Sequence, residues 1–250
     1  MKAEEKQLIF NLLKTADTWN SGYLRQKFAT NPDFKDDQIP ESETQIEEST
    51  SETEIKIQPQ VQNKNGLSIA ELEAKILRCT RCSLARTRNS VISGDGVENP
   101  LVLVIGEGPG VEEDLKGKPF VGKVGVLLDK MLSAIQLDRK TNCYITNIVK
   151  CRPPEDRRPF PDEISSCFSF LETQIHLLKP KMILCMGKSS CEKLINQTVS
   201  IENVHGNFYD YNGIPVMPTY NPIDLLNNQD LKRPAWEDLK KFKRKLDEIS

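Results

Sequence analysis

No stretch of this 250-residue sequence stays apolar long enough to span a bilayer, and residues 1–20 lack the basic-then-apolar order of a signal peptide. No membrane partner is expected, and the expected compartment is the cytoplasm. Histidine is scarce: the chain has two. No Walker lysine follows the one glycine-rich loop, and no second C-x-x-C follows the first, which argues against a P-loop and a zinc ribbon. Hydrophobic residues make up 38%, below the usual globular share, so part of the length is expected outside any core. In a reducing compartment, seven cysteines read as ligands or buried thiols rather than disulfides.

A net charge of −2 offers no overall attraction to nucleic acid, but the average hides an uneven distribution. Residues 31–66 carry nine acids against three lysines, or −6, which leaves +4 for the rest of the chain. Basic residues then cluster at Arg78, Arg81, Arg86 and Arg88, at Lys150, Arg152, Arg157 and Arg158, and along 240–245. The first two clusters flank candidate site residues. Arg81, Arg86, Lys150 and Arg152 are therefore read as contacts to a DNA backbone.

Apolar periodicity predicts an amino-terminal helix over 4–28, within a helical segment 1–30. Residues 31–66, rich in Glu, Ser, Thr and Gln, read as an acidic disordered linker that cannot repay the entropy of ordering. The main domain, 67–250, is expected to start afresh at Ser68, which with Glu71 forms a capping box ahead of Ile69, Leu72 and Ile76. Beyond it, continuous apolar runs at 101–106, 142–149, 181–187 and 214–219 read as strands. They alternate with helical patterns at 122–137, 162–178, 188–195 and 234–249. This order predicts an α/β three-layer sandwich: a central four-stranded parallel sheet with helices on both faces. The ligand crevice of such a sheet lies outside the carboxyl ends of its strands.

Two constellations carry chemistry. In Gly106-Glu107-Gly108-Pro109-Gly110 the glycines directly follow a strand, yet Val111 occupies the last glycine position of a dinucleotide fingerprint and Pro109 interrupts the turn. Glu107, Glu113, Asp114 and the Lys118–Gly122 segment set it apart from a plain turn. The second constellation is Cys79-x-x-Cys82 with Cys151, in a proline-fixed loop, and Cys167, near a helix start. One close pair and two separated thiols suit a Cys₄ site assembled by the fold, and spacing alone leaves zinc and iron–sulfur nearly equal. Cys143, Cys185 and Cys191 read as small buried hydrophobes.

VIGEGPG at 104–110, Glu113-Asp114, GKPFVG at 117–122, TNIVKCRPP at 146–154 and KRPAWEDL at 232–239, in this order and with these cysteines, resemble the family 4 uracil-DNA glycosylases over roughly 67–250. The resemblance implies a uracil-DNA glycosylase fold, a [4Fe–4S] cluster on Cys79, Cys82, Cys151 and Cys167, and excision of uracil from DNA by a monofunctional enzyme that starts base-excision repair. By position in the motifs, Phe120 implies the aromatic that stacks on a flipped-out base. Asn147 implies the amide that donates to uracil O4 and accepts from N3–H. Glu113 implies the residue crowding C5, Gly108 with Glu107 the backbone lining the pocket, and Glu107 a carboxylate that positions water or stabilises the cationic sugar.

One departure bears on activity. The family's last motif carries a histidine that donates to uracil O2, and this sequence has Asn221 there, with Asn227 in place of a following arginine. Asn221 can donate but cannot carry positive charge, and losing one such donor typically costs on the order of 10²–10³ in rate. The second reading is therefore a low-activity or non-catalytic DNA- or uracil-binding protein on the same scaffold. A third, action on another damaged base, is opposed by the retained Phe120, Asn147 and Glu113. His176 and His205 lie outside the motif and receive no role. The expected partners are uracil-containing DNA, single- or double-stranded, and a repair or replication protein through 1–30, with the chain itself a monomer.

Overall fold

The computed structural model describes residues 67–249. The amino-terminal helix and the acidic linker expected at 1–66 lie outside the described residues. At the start of the described chain, the Ser68 hydroxyl accepts from the Glu71 N–H at 3.2 Å, and the Glu71 carboxylate accepts from the Ser68 N–H at 2.8 Å. This reciprocal cap starts α1 (Ile69–Leu77), which buries Ile69, Leu72 and Ile76.

The sheet has six strands in the order β1-β3-β2-β4-β6-β5. Its centre is the expected parallel set: β2 (Val102–Gly106), β3 (Cys143–Asn147), β4 (Met182–Met186) and β6 (Ile214–Thr219). Two short antiparallel strands were not expected. They are β1 (Asp95–Gly96) beside β3, and β5 (Tyr209–Tyr211) beside β6. β5 reaches β6 through Asn212-Gly213, both at positive φ (52° and 86°), the dipeptide suited to a two-residue hairpin turn.

Period-2 alternation divides the core into two layers. Val102 and Val104 face α3 (Gly122–Ser133), α7 (Pro222–Asn227) and α8 (Lys232–Ile249). Leu103 and Ile105 face α1, α4 (Pro161–Leu178) and α5 (Lys188–Ile195). β2, β3 and β4 are buried along their whole length, which is why they read as unbroken apolar runs. Cys143, Cys185 and Cys191 are fully buried, and burial pushes the Cys143 thiol up to about 12. Two short helices, α2 (Val111–Lys116) and α6 (Ile201–Val204), complete the set. Among the described residues no helix is long and apolar enough to cross a membrane.

Candidate active site and cysteine pocket

At the carboxyl ends of the parallel strands, β2 runs into the Gly106–Gly110 loop and α2, β3 ends on Asn147, β4 turns through Gly187 into α5, and β6 leads through Tyr220 and Asn221 into α7. These turns bring the candidate base-reading residues together. A Cβ at Gly106 would collide with both Asn147 Oδ1 and the Phe120 ring, so bare backbone there lets the amide and the aromatic meet in one place. Asn147 is buried, and its Oδ1 is the one buried side-chain oxygen or nitrogen without a hydrogen-bond partner among the described residues. An unpaired buried acceptor costs about 1–3 kcal/mol.

Phe120 is buried and adopts φ 48°, a region that costs a bulky residue about 1–3 kcal/mol. Glu113 helps to hold it there. Its Oε2 accepts from Gly110 N at 3.0 Å and its Oε1 from Val121 N at 3.1 Å, closing the loop on both sides of α2. Gly108 packs so closely on Val149 that a Cβ would lie 2.9 Å from Cγ2.

Glu107 points to the start of α5. Its Oε1 accepts from Ser189 N at 2.7 Å, where the helix presents unpaired N–H groups and a positive dipole end. A Cβ on Gly187 (φ 94°) would press on this carboxylate at 2.7 Å, so glycine admits it. Nearby, burial and then the Glu107 charge raise the carboxyl pKa of Asp224 on α7. Asn221 is buried and caps α7: its Oδ1 accepts from Ile223 N at 3.2 Å. With the oxygen bonded to the helix start, the Nδ2 donors are left for the crevice.

The four cysteines come together on the other side of the sheet. Cys79 and Cys82, just past α1, share one pocket with Cys151 and with Cys167 of α4, among Arg81, Arg88 and Lys150. Arg88 Nη1 donates to Cys151 Sγ at 3.1 Å. Burial pushes the Cys151 thiol up to about 11 and raises that of Cys167. Four thiols, no carboxylate and surrounding cations fit an anionic thiolate-bound cluster in type and number. Among the described residues no three His, Cys, Asp or Glu side chains are grouped closely enough to hold a metal ion.

Comparison with known proteins identifies the family. Residues 93–240 match the model of the uracil DNA glycosylase superfamily. A type-4 uracil-DNA glycosylase of Thermotoga maritima is 39% identical over 173 residues, 68% of this chain and 90% of the relative. The chain belongs to the uracil DNA glycosylase superfamily, among its type-4 members. A type-4 uracil-DNA glycosylase of Archaeoglobus fulgidus is 35% identical over 183 residues, 70% of this chain and 92% of the relative. A DNA polymerase of Bacillus phage SP01 is 31% identical over 147 residues, which are 59% of this chain but 15% of the polymerase.

Among the arginines and lysine read from the sequence as DNA contacts, the type-4 domain places one inside. Lys150 is buried, and its ammonium donates to Asn147 O at 2.7 Å, to Gln174 Oε1 at 2.6 Å and to Thr146 Oγ1. Charge in the sequence suggested a phosphate contact; instead Lys150 anchors the end of β3 at Thr146 and Asn147. Desolvation pulls its pKa down to about 8. Arg81 is exposed, donates to Ser169 Oγ at 2.9 Å and lies 4.2 Å over the Phe170 ring. Arg86 is exposed on the short turn Ser83–Arg86, and Arg152 pairs with Asp156 at 2.7 Å.

Sequence reasoning gave no role to several groups near the site. Asp114 is buried and accepts from the backbone N–H groups of Asn89 and Ser90, tying α2 to that loop. His205, left without a role, pairs through Nδ1 with buried Asp238 at 3.0 Å, and Asp238 also accepts from Thr219 Oγ1 at 2.8 Å. The His205 ring packs against Tyr220, next to Asn221, at 4.8 Å between centroids. Asp238 stands in the KRPAWEDL motif, but its partners are far apart in sequence and gave no local signal.

Proposed function

We propose that this protein is a monofunctional uracil-DNA glycosylase that hydrolyses the bond between uracil and deoxyribose and leaves an abasic site. The observation that carries the reading is the orphaned Oδ1 of Asn147 beside the Phe120 ring, with both packed over Gly106. A base inside a duplex cannot reach these groups, so it must be flipped out. Phe120 then stacks on its face, and Asn147 accepts from N3–H and donates to O4. Cytosine, with an acceptor at N3 and a donor at C4, leaves the same acceptor unpaired. Glu113, fixed to the Phe120 loop, crowds C5, and the Gly108 backbone lines the wall.

As the glycosidic bond breaks, negative charge builds on the leaving base and positive charge on the sugar. Asn221 Nδ2 donates to uracil O2 as that charge grows, while its Oδ1 holds the α7 cap. Glu107 faces the sugar as an anion and orients the water that adds to C1′. No amine nucleophile stands at these positions, which supports hydrolysis without strand cleavage. Cys79, Cys82, Cys151 and Cys167 would hold a [4Fe–4S] cluster that serves as a structural cross-link. Arg81, Arg86 and Arg152, on segments flanking that pocket, meet the DNA backbone. We assign a partner in replication or repair to residues 1–30.

The test is a uracil-containing oligonucleotide incubated with the protein and divided before alkali treatment. A monofunctional glycosylase gives breaks only after alkali; breaks without alkali would show a lyase. Tight binding with no breaks in either half would establish the second reading, a binding protein with little turnover, which the missing charge at Asn221 favours. Iron and acid-labile sulfide should be present, and a colourless protein containing zinc would overturn the cluster assignment.

A further inference from the structure

The sequence marks Arg139 only as a charge in the turn after α3, yet in the fold its guanidinium is mostly buried, with 15% of the side chain exposed. Each of its five N–H bonds has a partner. Nε and one Nη2 hydrogen go to Asp129 Oδ1 at 3.0 and 2.7 Å, and one Nη1 hydrogen goes to Asp95 Oδ2 at 3.2 Å. The remaining two go to Pro119 O and Phe120 O, each at 3.2 Å. Those carbonyls belong to the two peptide groups on either side of Phe120. The Phe120 carbonyl is also wedged against Gly125, where a Cβ would strike it. Phe120 itself has φ 48°, a conformation that such a side chain keeps only where its surroundings impose it.

We propose that Arg139 is a positioning residue for base recognition: its planar fork grips both peptides flanking Phe120 and so sets the aromatic ring beside Asn147. Asp95 and Asp129 orient the fork from the side away from the base. Glu113 closes the same loop at Val121 N, one residue further along, so Phe120 is held from two directions. A lysine keeps the charge but has neither the planar fork nor five donors, so it cannot grip two carbonyls and two carboxylates at once. This inference rests on the reading of Phe120 as the base-stacking residue.

The test combines ring-labelled phenylalanine NMR with kinetics on Arg139→Lys, Arg139→Gln, Phe120→Leu and the Arg139→Lys/Phe120→Leu double variant. Phe120→Leu identifies the Phe120 ring signal. Arg139→Lys should move that signal while the other phenylalanine signals stay in place. It should also lower kcat/KM on a uracil-containing oligonucleotide roughly 10- to 100-fold, and Arg139→Gln should lower it at least as far. In the Phe120→Leu background, Arg139→Lys should cost little more, because its effect passes through the missing ring. An unmoved Phe120 signal, a shift across all phenylalanine signals, or losses that multiply in the double variant would each overturn the proposal. A wild-type protein without cleavage refutes the glycosylase reading instead, and the Phe120 signal still decides whether Arg139 positions the ring.

Discussion

Replacing Glu163 with glutamine is expected to destabilise the domain by about 2–4 kcal/mol. This carboxylate is buried at the start of α4 and cross-ties the segments that deliver the cysteines. Its Oε1 accepts from Ser83 Oγ at 3.0 Å and Arg157 Nη2 at 2.7 Å, and its Oε2 from Arg157 Nη1 and Phe160 N, both at 2.8 Å. Ser83 follows Cys82, while Arg157 and Phe160 stand between Cys151 and Cys167. The Arg157 guanidinium, first among these partners, holds the carboxyl at about 2, against an ordinary 4.5. At about 1.4 kcal/mol per unit, that depression corresponds to roughly 3 kcal/mol. An amide would also turn an N–H₂ group toward two of the donors. Because the folded pKa is depressed, the contribution is complete above the unfolded value of about 4.3 and is lost as pH falls from there through about 2. Urea unfolding of wild type and Glu163→Gln, followed by circular dichroism at pH 7 and pH 3, measures both effects. The gap should narrow at the lower pH. A variant within about 0.5 kcal/mol of wild type at pH 7, or a gap that widens on acidification, would refute the reasoning.

Lys150→Met should lower stability by about 2–4 kcal/mol, because Thr146, Gln174 and the Asn147 carbonyl lose their shared donor. It should leave the salt dependence of DNA binding unchanged, whereas Arg86→Ala should flatten the log–log slope by about one unit in fluorescence anisotropy. A flattened slope for Lys150→Met would contradict its buried placement. Asn221→Asp keeps the cap on α7, so its urea midpoint should match wild type, yet it replaces the donor with an anion and should slow uracil release at least ~100-fold. Asn221→His should raise the rate by about 10²–10³ if the leaving base is an anion; no change would show that this position does not touch it.

The central strands and the main helices were legible because buried parallel strands are continuous apolar runs and because Ser68-x-x-Glu71 and Pro161 mark helix starts. β5 was missed although Asn212-Gly213 announces its hairpin, since Tyr209-Asp210-Tyr211 is short and half-polar. Gly106, Phe120 and Asn147 stood out in local motifs, and the fold brings them together. The site was not legible where long-range packing decides the outcome. Nothing in the residue type distinguishes Lys150, enclosed by three oxygens, from exposed Arg86. Arg139 and Glu163 likewise look like surface charges until the fold brings carbonyls or a guanidinium to them. Motifs name the candidate site residues; the ion pairs beside them join residues six to 44 positions apart, outside any one motif.

The measurement that tests the account most directly is chromatographic detection of free uracil released from a single-stranded deoxyuridine oligonucleotide by wild type and by Asn147→Ala. The account predicts steady release by wild type, and a loss of at least ~100-fold in Asn147→Ala with an unfolding midpoint no lower than about 1 kcal/mol below wild type. Undiminished release by Asn147→Ala would contradict the claim that the unpaired Oδ1 reads the base.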